Sequence, residues 1–203
     1  MKPDRSMVYI LDDDARVREA LVALLSSVGY RVTVFSSAQE YLAYTRPDVP
    51  GCLLLDLDLP GMSGLDLQRE LAGTHGPPIV FLTGHGDIPS TVKAMKGGAV
   101  EFLAKPFDEG ALIGAIDIAI QEDERAREAH TELEAIRKRY LSLTPREREV
   151  LPFVVRGFLN KQTAGELGTS EITIRIHRGQ IMRKMAADSL ADLVRLAAKL
   201  GIP

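Results

Sequence analysis

Residues 53–61 read "LLLDLDLPG". Three leucines in a row suit a strand buried on both faces, the kind found at the centre of a parallel sheet. The run then stops on Asp56, with Asp58 two places on and a Pro-Gly turn behind it. An unpartnered carboxylate is costly to bury, so something must meet Asp56 where the strand ends. Outward from "GCLLL" (51–55), similar short runs appear at "MVYIL" (7–11), "RVTVF" (31–35), "PIVFLT" (78–83) and "VEFL" (100–103). Helix-period segments separate them: "ARVREALVALLSSV", "SAQEYLAY", "LDLQRELA" and "STVKAMKGG", with a fifth starting near Glu109. Five strands alternating with five helices predict an α/β fold, a parallel sheet covered on both faces.

Ligands of such sheets bind beyond the carboxyl ends of the strands. Asp12, Asp13 and Asp14 follow the first strand and Asp56 the third. Thr83 ends the fourth, and Lys105-Pro106 follows the fifth. If these strands are neighbours, carboxylates, a hydroxyl and an ammonium converge. Clustered carboxylates repel unless a cation joins them, and an all-oxygen set suits Mg²⁺. An aspartate can attack a phosphoryl group, and Lys105, Thr83 and the metal would balance the developing charge. On this reading Asp56 is the nucleophile. Taken singly, each piece has a plainer reading: "DDD" as a turn and helix cap, Asp56 as a strand-end turn residue, Lys105-Pro106 as loop.

After Gly114 no Gly or Pro interrupts the chain until Pro145, and "IQEDERAREAHTELEAIRKRY" is dense in charge and in good helix formers. It predicts a helical linker over 121–141. Ala126, Ala129, Leu133, Ile136 and Tyr140 fall at alternating spacings of three and four, either a short a/d seam or a solvated spacer. In "SLTPREREVL", Thr144, Pro145 and Glu147 form a capping box that opens a new domain. Helical segments follow at 145–156, 161–167, 171–185 and 189–200, the first expected to kink at Pro152. In "NKQTAGELGTSEITIRIHRGQIMRKM", two helices capped by Asn160 and Ser170 are joined by "GTS", the layout of a helix-turn-helix. Ile174, Ile181 and Met185 form its core stripe. Arg175, Gly179 and Arg183 lie on another face beside Ile172 and Ile176, flanked by Arg178 and Lys184. Lys161 and Thr173 complete the candidate DNA contacts. The plainer alternative is a solvated charged face on a small helical bundle.

Charge supports the division. From residue 142 on, 10 Lys and Arg stand against 6 Asp and Glu, a net of +4; the first 141 residues carry 15 against 22, a net of −7. An acidic module joined to a basic one suggests separate partners, nucleic acid for the basic one. No apolar run reaches the roughly 18 residues of a membrane span, and the N-terminus lacks a signal-peptide layout. Cys52, the only cysteine, reads as a small core side chain. A cytoplasmic location is expected.

The motifs "LDDD", "DLDLPGMSG", "LTGHGD" and "FLAKPF" make residues 7 to about 120 resemble a response-regulator receiver domain, a flavodoxin-like (βα)5 fold. Residues 142–203 resemble a LuxR-type helix-turn-helix domain through "LTPREREVL", "NKQTAGELG" and "IHRGQIMRKM". Together they resemble the FixJ-like group of response regulators, with domains 1–120, 121–141 (linker) and 142–203. The resemblance implies a phosphoacceptor at Asp56, Mg²⁺ on Asp12, Asp13 and Asp56 with a backbone contact from Asp58, and a switch of Thr83, Lys105 and Phe102. It also implies a cis Lys105-Pro106 peptide. Asp58 and His85 sit where the family tunes phosphoryl lifetime, and Gly179 stands where a DNA-contacting side chain is common. The implied function is transcription regulation. A sensor histidine kinase or a small phosphodonor phosphorylates Asp56, and the chain homodimerises and binds double-stranded promoter DNA, with RNA polymerase as a candidate partner. The chain is expected not to be an enzyme. The rival readings are a phosphatase with an aspartyl intermediate and a phosphorylation-independent DNA binder.

Overall fold

The structure, a computed structural model, describes residues 6–74, 76–84 and 88–203. It divides into two compact units, Met1–Arg127 and Glu128–Pro203.

The first unit holds strands β1 (Met7–Leu11), β2 (Arg31–Phe35), β3 (Gly51–Asp56), β4 (Ile79–Thr83) and β5 (Glu101–Ala104) in one parallel sheet of order β2-β1-β3-β4-β5. Helices α1 (Ala15–Ser27), α2 (Ala38–Ala43), α3 (Gly64–Leu71), α4 (Ile88–Lys96) and the start of α5 (Glu109–Leu141) alternate with the strands. The expected α/β class and five-stranded sheet are present. Every residue of β1, β3 and β4 is buried, as their unbroken apolar runs require. Because successive side chains point to opposite faces, each strand feeds two core layers. Tyr9, Leu53, Leu55 and Phe81 pack with Phe35, Tyr41 and Leu67. Val8, Ile10, Cys52, Leu54 and Val80 pack with Leu21, Leu25, Leu112 and Ile116. Burial pushes the Cys52 thiol far up, so it stays protonated, as a core side chain should.

At the amino end of β3 the Gly51 N–H donates to Asp123 Oδ2 at 2.8 Å, and Arg127 Nε donates to the same oxygen at 2.8 Å. Arg127 also pairs with Asp48. Asp123 is 5% exposed, and it ties α5 to the root of the central strand.

The second unit contains the end of α5 with α6 (Pro145–Val155), α7 (Asn160–Glu166), α8 (Glu171–Met185) and α9 (Leu190–Lys199). Its core gathers Leu143, Val150, Leu151, Val154, Ile174, Ile181, Met185, Leu193 and Leu196. The Thr144–Glu147 capping box forms, and Ser170 caps α8. Two local expectations change. Leu159, not Asn160, is the N-cap of α7, its N–H donating to Gln162 Oε1 at 2.8 Å. Helix α6 runs on through Pro152, with Val150, Leu151 and Val154 buried around it. The linker stretch is the continuation of α5, but Ile136 is 2% exposed inside the second unit's core, with Tyr140 packed against it. Glu132 pairs with Lys199. The apolar residues at 136 and 140 are thus spent within the chain and are not open for a two-helix seam.

Candidate functional site

At the carboxyl ends of β1 and β3, Asp12, Asp13 and Asp56 each offer a carboxylate oxygen, all within 4.8 Å of one another. Asp12 and Asp56 are buried and Asp13 is exposed. The adjacency of β1 and β3, with Leu11 opposite Leu55, brings the acids together. Gly64 allows it from the side: a Cβ there would stand 2.4 Å from the Asp56 carbonyl, so only glycine lets α3 start this close to the strand end. The triplet "DDD" divides its labour. Asp12 and Asp13 face the cluster, whereas Asp14 caps α1 by accepting from the Arg16 N–H at 2.8 Å. Both readings of the triplet hold at once.

Lys105 Nζ lies 2.6 Å from Asp12 Oδ2 and 2.9 Å from Asp56 Oδ2. It follows β5, and its N–H donates to the Thr83 carbonyl at 2.7 Å. The Lys105–Pro106 peptide is cis. Burial raises the Asp56 pKa above the ordinary aspartate range, although the hydrogen bond and charge of Lys105 pull the other way. For Lys105, burial would lower the pKa, but its bonds to Asp12 and Asp56 outweigh burial and hold the ammonium charged. Three carboxylates against one ammonium suit a divalent cation, and an all-oxygen donor set suits Mg²⁺ over the softer metals. The Asp58 side chain is exposed and stands outside this carboxylate group, its N–H 3.4 Å from Asp56 Oδ1.

Thr83 is fully buried at the end of β4. Phe102 on β5 is half-buried, its ring centroid 6.1 Å from that of its register partner Phe81. His85 lies outside the described residues. One contributor escaped the sequence reading: Arg18 Nη1 donates to the carbonyls of Asp12 at 2.7 Å and Asp13 at 2.9 Å, bracing the loop that carries both acids. Its position within α1, on the turn after the acids, was the available signal.

In the second unit, α7 and α8 form the helix-turn-helix. Arg175, Ile176, Gly179 and Arg183 are exposed on α8, and Lys161 is exposed on α7. The Thr173 N–H closes the Ser170 cap at 3.1 Å. Two expected contacts are engaged internally. Arg178 Nη1 donates to the Phe158 carbonyl at 2.9 Å, and Lys184 Nζ lies 2.7 Å from Oε2 of the buried Glu147.

Residues 8–117 match the family described as "Response regulator receiver domain", and residues 141–197 match "Bacterial regulatory proteins, luxR family". Nodulation protein W of Bradyrhizobium diazoefficiens is 49% identical over 199 residues, 98% of this chain and 88% of that protein. A low-resolution structure of the response regulator StyR superposes with a TM-score of 0.84 at 48% identity, covering 96% of this chain and 99% of that one. Full-length FixJ from B. japonicum superposes with a TM-score of 0.56 at 40% identity, covering 97% and 98%.

Proposed function

The chain belongs to the response regulators, transcription regulators that join a receiver domain to a LuxR-type DNA-binding domain, and we propose that Asp56 is its phosphoacceptor, charged by a sensor histidine kinase. The observation that carries this reading is the approach of the Asp12, Asp13 and Asp56 carboxylates to within 4.8 Å, with Lys105 paired to two of them. An oxygen of Asp56 attacks phosphorus, and the bond from phosphorus to the donor breaks. The donor keeps the electron pair and, if it is imidazole, takes a proton from solvent. Asp12, Asp13 and Asp56, with the backbone at Asp58, would hold Mg²⁺, which when bound offsets charge on the phosphoryl oxygens. Lys105 offers its ammonium to the same oxygens, and the Thr83 hydroxyl donates a hydrogen bond to one of them. Phe102 moves with Thr83.

That rearrangement acts on the face of α4, β5 and α5. Ile88, Val92 and Met95 repeat there along α4 at helical spacing, and all are exposed, as is Ile118 on α5. An apolar row of this kind supports homodimerisation on phosphorylation. Paired helix-turn-helix units then bind promoter DNA, in the cytoplasm, and act on RNA polymerase. Acetyl phosphate with Mg²⁺ should add one phosphoryl group to the wild type and none to Asp56→Asn, and should raise affinity for duplex DNA only in the wild type. Full labelling of Asp56→Asn overturns the assignment.

A further inference from the structure

Helix α8 carries an anomaly on the side turned away from its core. Ile174, Ile181 and Met185 are buried. Ile172 and Ile176 each lie two residues from Ile174, roughly 200° round the helix at about 100° per residue, and they are 61% and 59% exposed. The same row continues at helical spacing through Gly179 to Arg183. A single exposed isoleucine needs no explanation, but two in one row that ends in a glycine and an arginine do. The glycine is not required by the fold: a Cβ built on Gly179 meets nothing within 4 Å. A glycine in a helix interior costs about 1 kcal/mol relative to alanine, so a gain outside the chain has to offset it.

We infer that α8 reads thymine through its C5-methyl group, with Ile172 and Ile176 as the methyl contacts and Gly179 as the point where the helix backbone presses closest to the duplex. This rests on the DNA-binding reading of the second unit and adds to it the class of base read. The occupant follows from the surroundings. Arg175 on the flank of the row and Lys161 on α7 take part in none of the ion pairs among the described residues, and both are exposed. An apolar pair bordered by unpaired cations fits a polyanion that shows methyl groups between its phosphates. The major groove is that surface, and thymine is the base that carries a methyl there. The isoleucines stand one turn apart, about 6 Å along the axis, which is close to two base steps at about 3.4 Å each. A second protein copy fits less well, because two side chains flanked by like charges offer too little apolar area.

The test replaces thymine by uracil, which keeps pairing and phosphates and removes only the methyl. Genomic duplex fragments are selected on the full chain treated with acetyl phosphate and Mg²⁺, and each thymine of a selected site is replaced in turn. At one or two positions the wild type should lose about four-fold in affinity per methyl. Ile176→Ala or Ile172→Ala should bind more weakly at the outset and lose nothing further at its own position. Gly179→Ala should weaken binding to all fragments at least ten-fold while melting no lower than the wild type. Circular dichroism on each variant checks that the exposed substitutions leave the helices intact. Selected duplex that binds equally with uracil throughout overturns the inference and leaves the DNA-binding reading standing. Failure to select any duplex overturns that reading itself. Self-association lost on Ile172→Ala with DNA affinity intact assigns the row to a second copy and equally rejects the inference.

Discussion

The ammonium of Lys184 lies 2.7 Å from Oε2 of Glu147, so a basic side chain of the helix-turn-helix is turned inward to a buried acid on α6. The same oxygen accepts the Thr144 N–H at 2.7 Å. Burial alone would raise the Glu147 pKa, but the Lys184 bond and the Thr144 N–H more than compensate and hold it below the ordinary glutamate range. A lowered carboxyl pKa stabilises the fold above the unfolded-state value and loses that contribution as pH falls through the folded value.

Glu147→Ala should therefore cost the second unit about 3 kcal/mol at pH 7, since it strands a largely enclosed ammonium. The penalty should shrink as pH falls below the normal glutamate range. Urea unfolding of the full chain at neutral and acid pH measures both. Lys184→Ala should lower stability and leave the ranking of bound DNA sequences unchanged; a changed ranking would return Lys184 to the base-reading face.

Ile136 is almost fully enclosed in the second unit's core. Ile136→Ala should destabilise that unit by about 2–4 kcal/mol. A fragment beginning at residue 128 should be correspondingly more stable than one beginning at residue 142, which also lacks the Glu132–Lys199 pair. Equal melting temperatures for the two fragments would reduce the end of α5 to a tether.

Burial raises the Asp56 pKa in the folded chain. A raised carboxyl pKa contributes stability below the unfolded-state value and loses it as pH rises through the folded value, so at neutral pH the charged group is a net cost. Without Mg²⁺, Asp56→Asn should melt higher than wild type at pH 7, and the gain should fade towards pH 3. A lower melting temperature at pH 7 would mean that pairing with Lys105 outweighs burial.

Asp123 accepts from both the Gly51 N–H and Arg127 Nε. Asp123→Ala should cost about 3 kcal/mol, the low end for a broken buried pair because Arg127 stays partly in water. Exchange of the Gly51 amide hydrogen should accelerate with it. Unchanged protection at Gly51 would show that neighbouring strands alone secure this end of β3.

The sheet and the acid cluster were legible because short unbroken apolar runs and period-3.6 segments alternate without interference, and the acids, Thr83 and Lys105 each end a strand or follow it within two positions. β1 and β2 begin and end where the apolar runs do. What escaped was long-range pairing. Glu147 was readable as a capping residue, but nothing local says that Lys184, 37 positions on, meets the same oxygen. Lys184 looked exposed because a long basic side chain on a helix flank usually is. Asp123 hid in a charge-dense stretch, yet Leu112, Ile116, Ala119 and Asp123 share one helical stripe. An acid on a core stripe was a signal that a buried donor awaits it. Ile136 and Tyr140 carried a true apolar periodicity whose partner, the chain's own second unit, the period could not name.

The strand that presents Asp56 is held at both ends and along its length. All six of its residues are buried. Its root at Gly51 is hydrogen-bonded to Asp123, and the Met7 carbonyl and the Tyr9 ring leave no room there for a Cβ, at 2.9 Å and 3.1 Å. A slip of one residue would carry each of its buried side chains to the opposite face of the sheet. If Asp56 takes a phosphoryl group as proposed, the new charge meets a strand fixed at its root, and the response falls to the segments that carry Thr83 and Lys105. On that reading the strand that takes the charge stays in place, and the change is carried by what surrounds it.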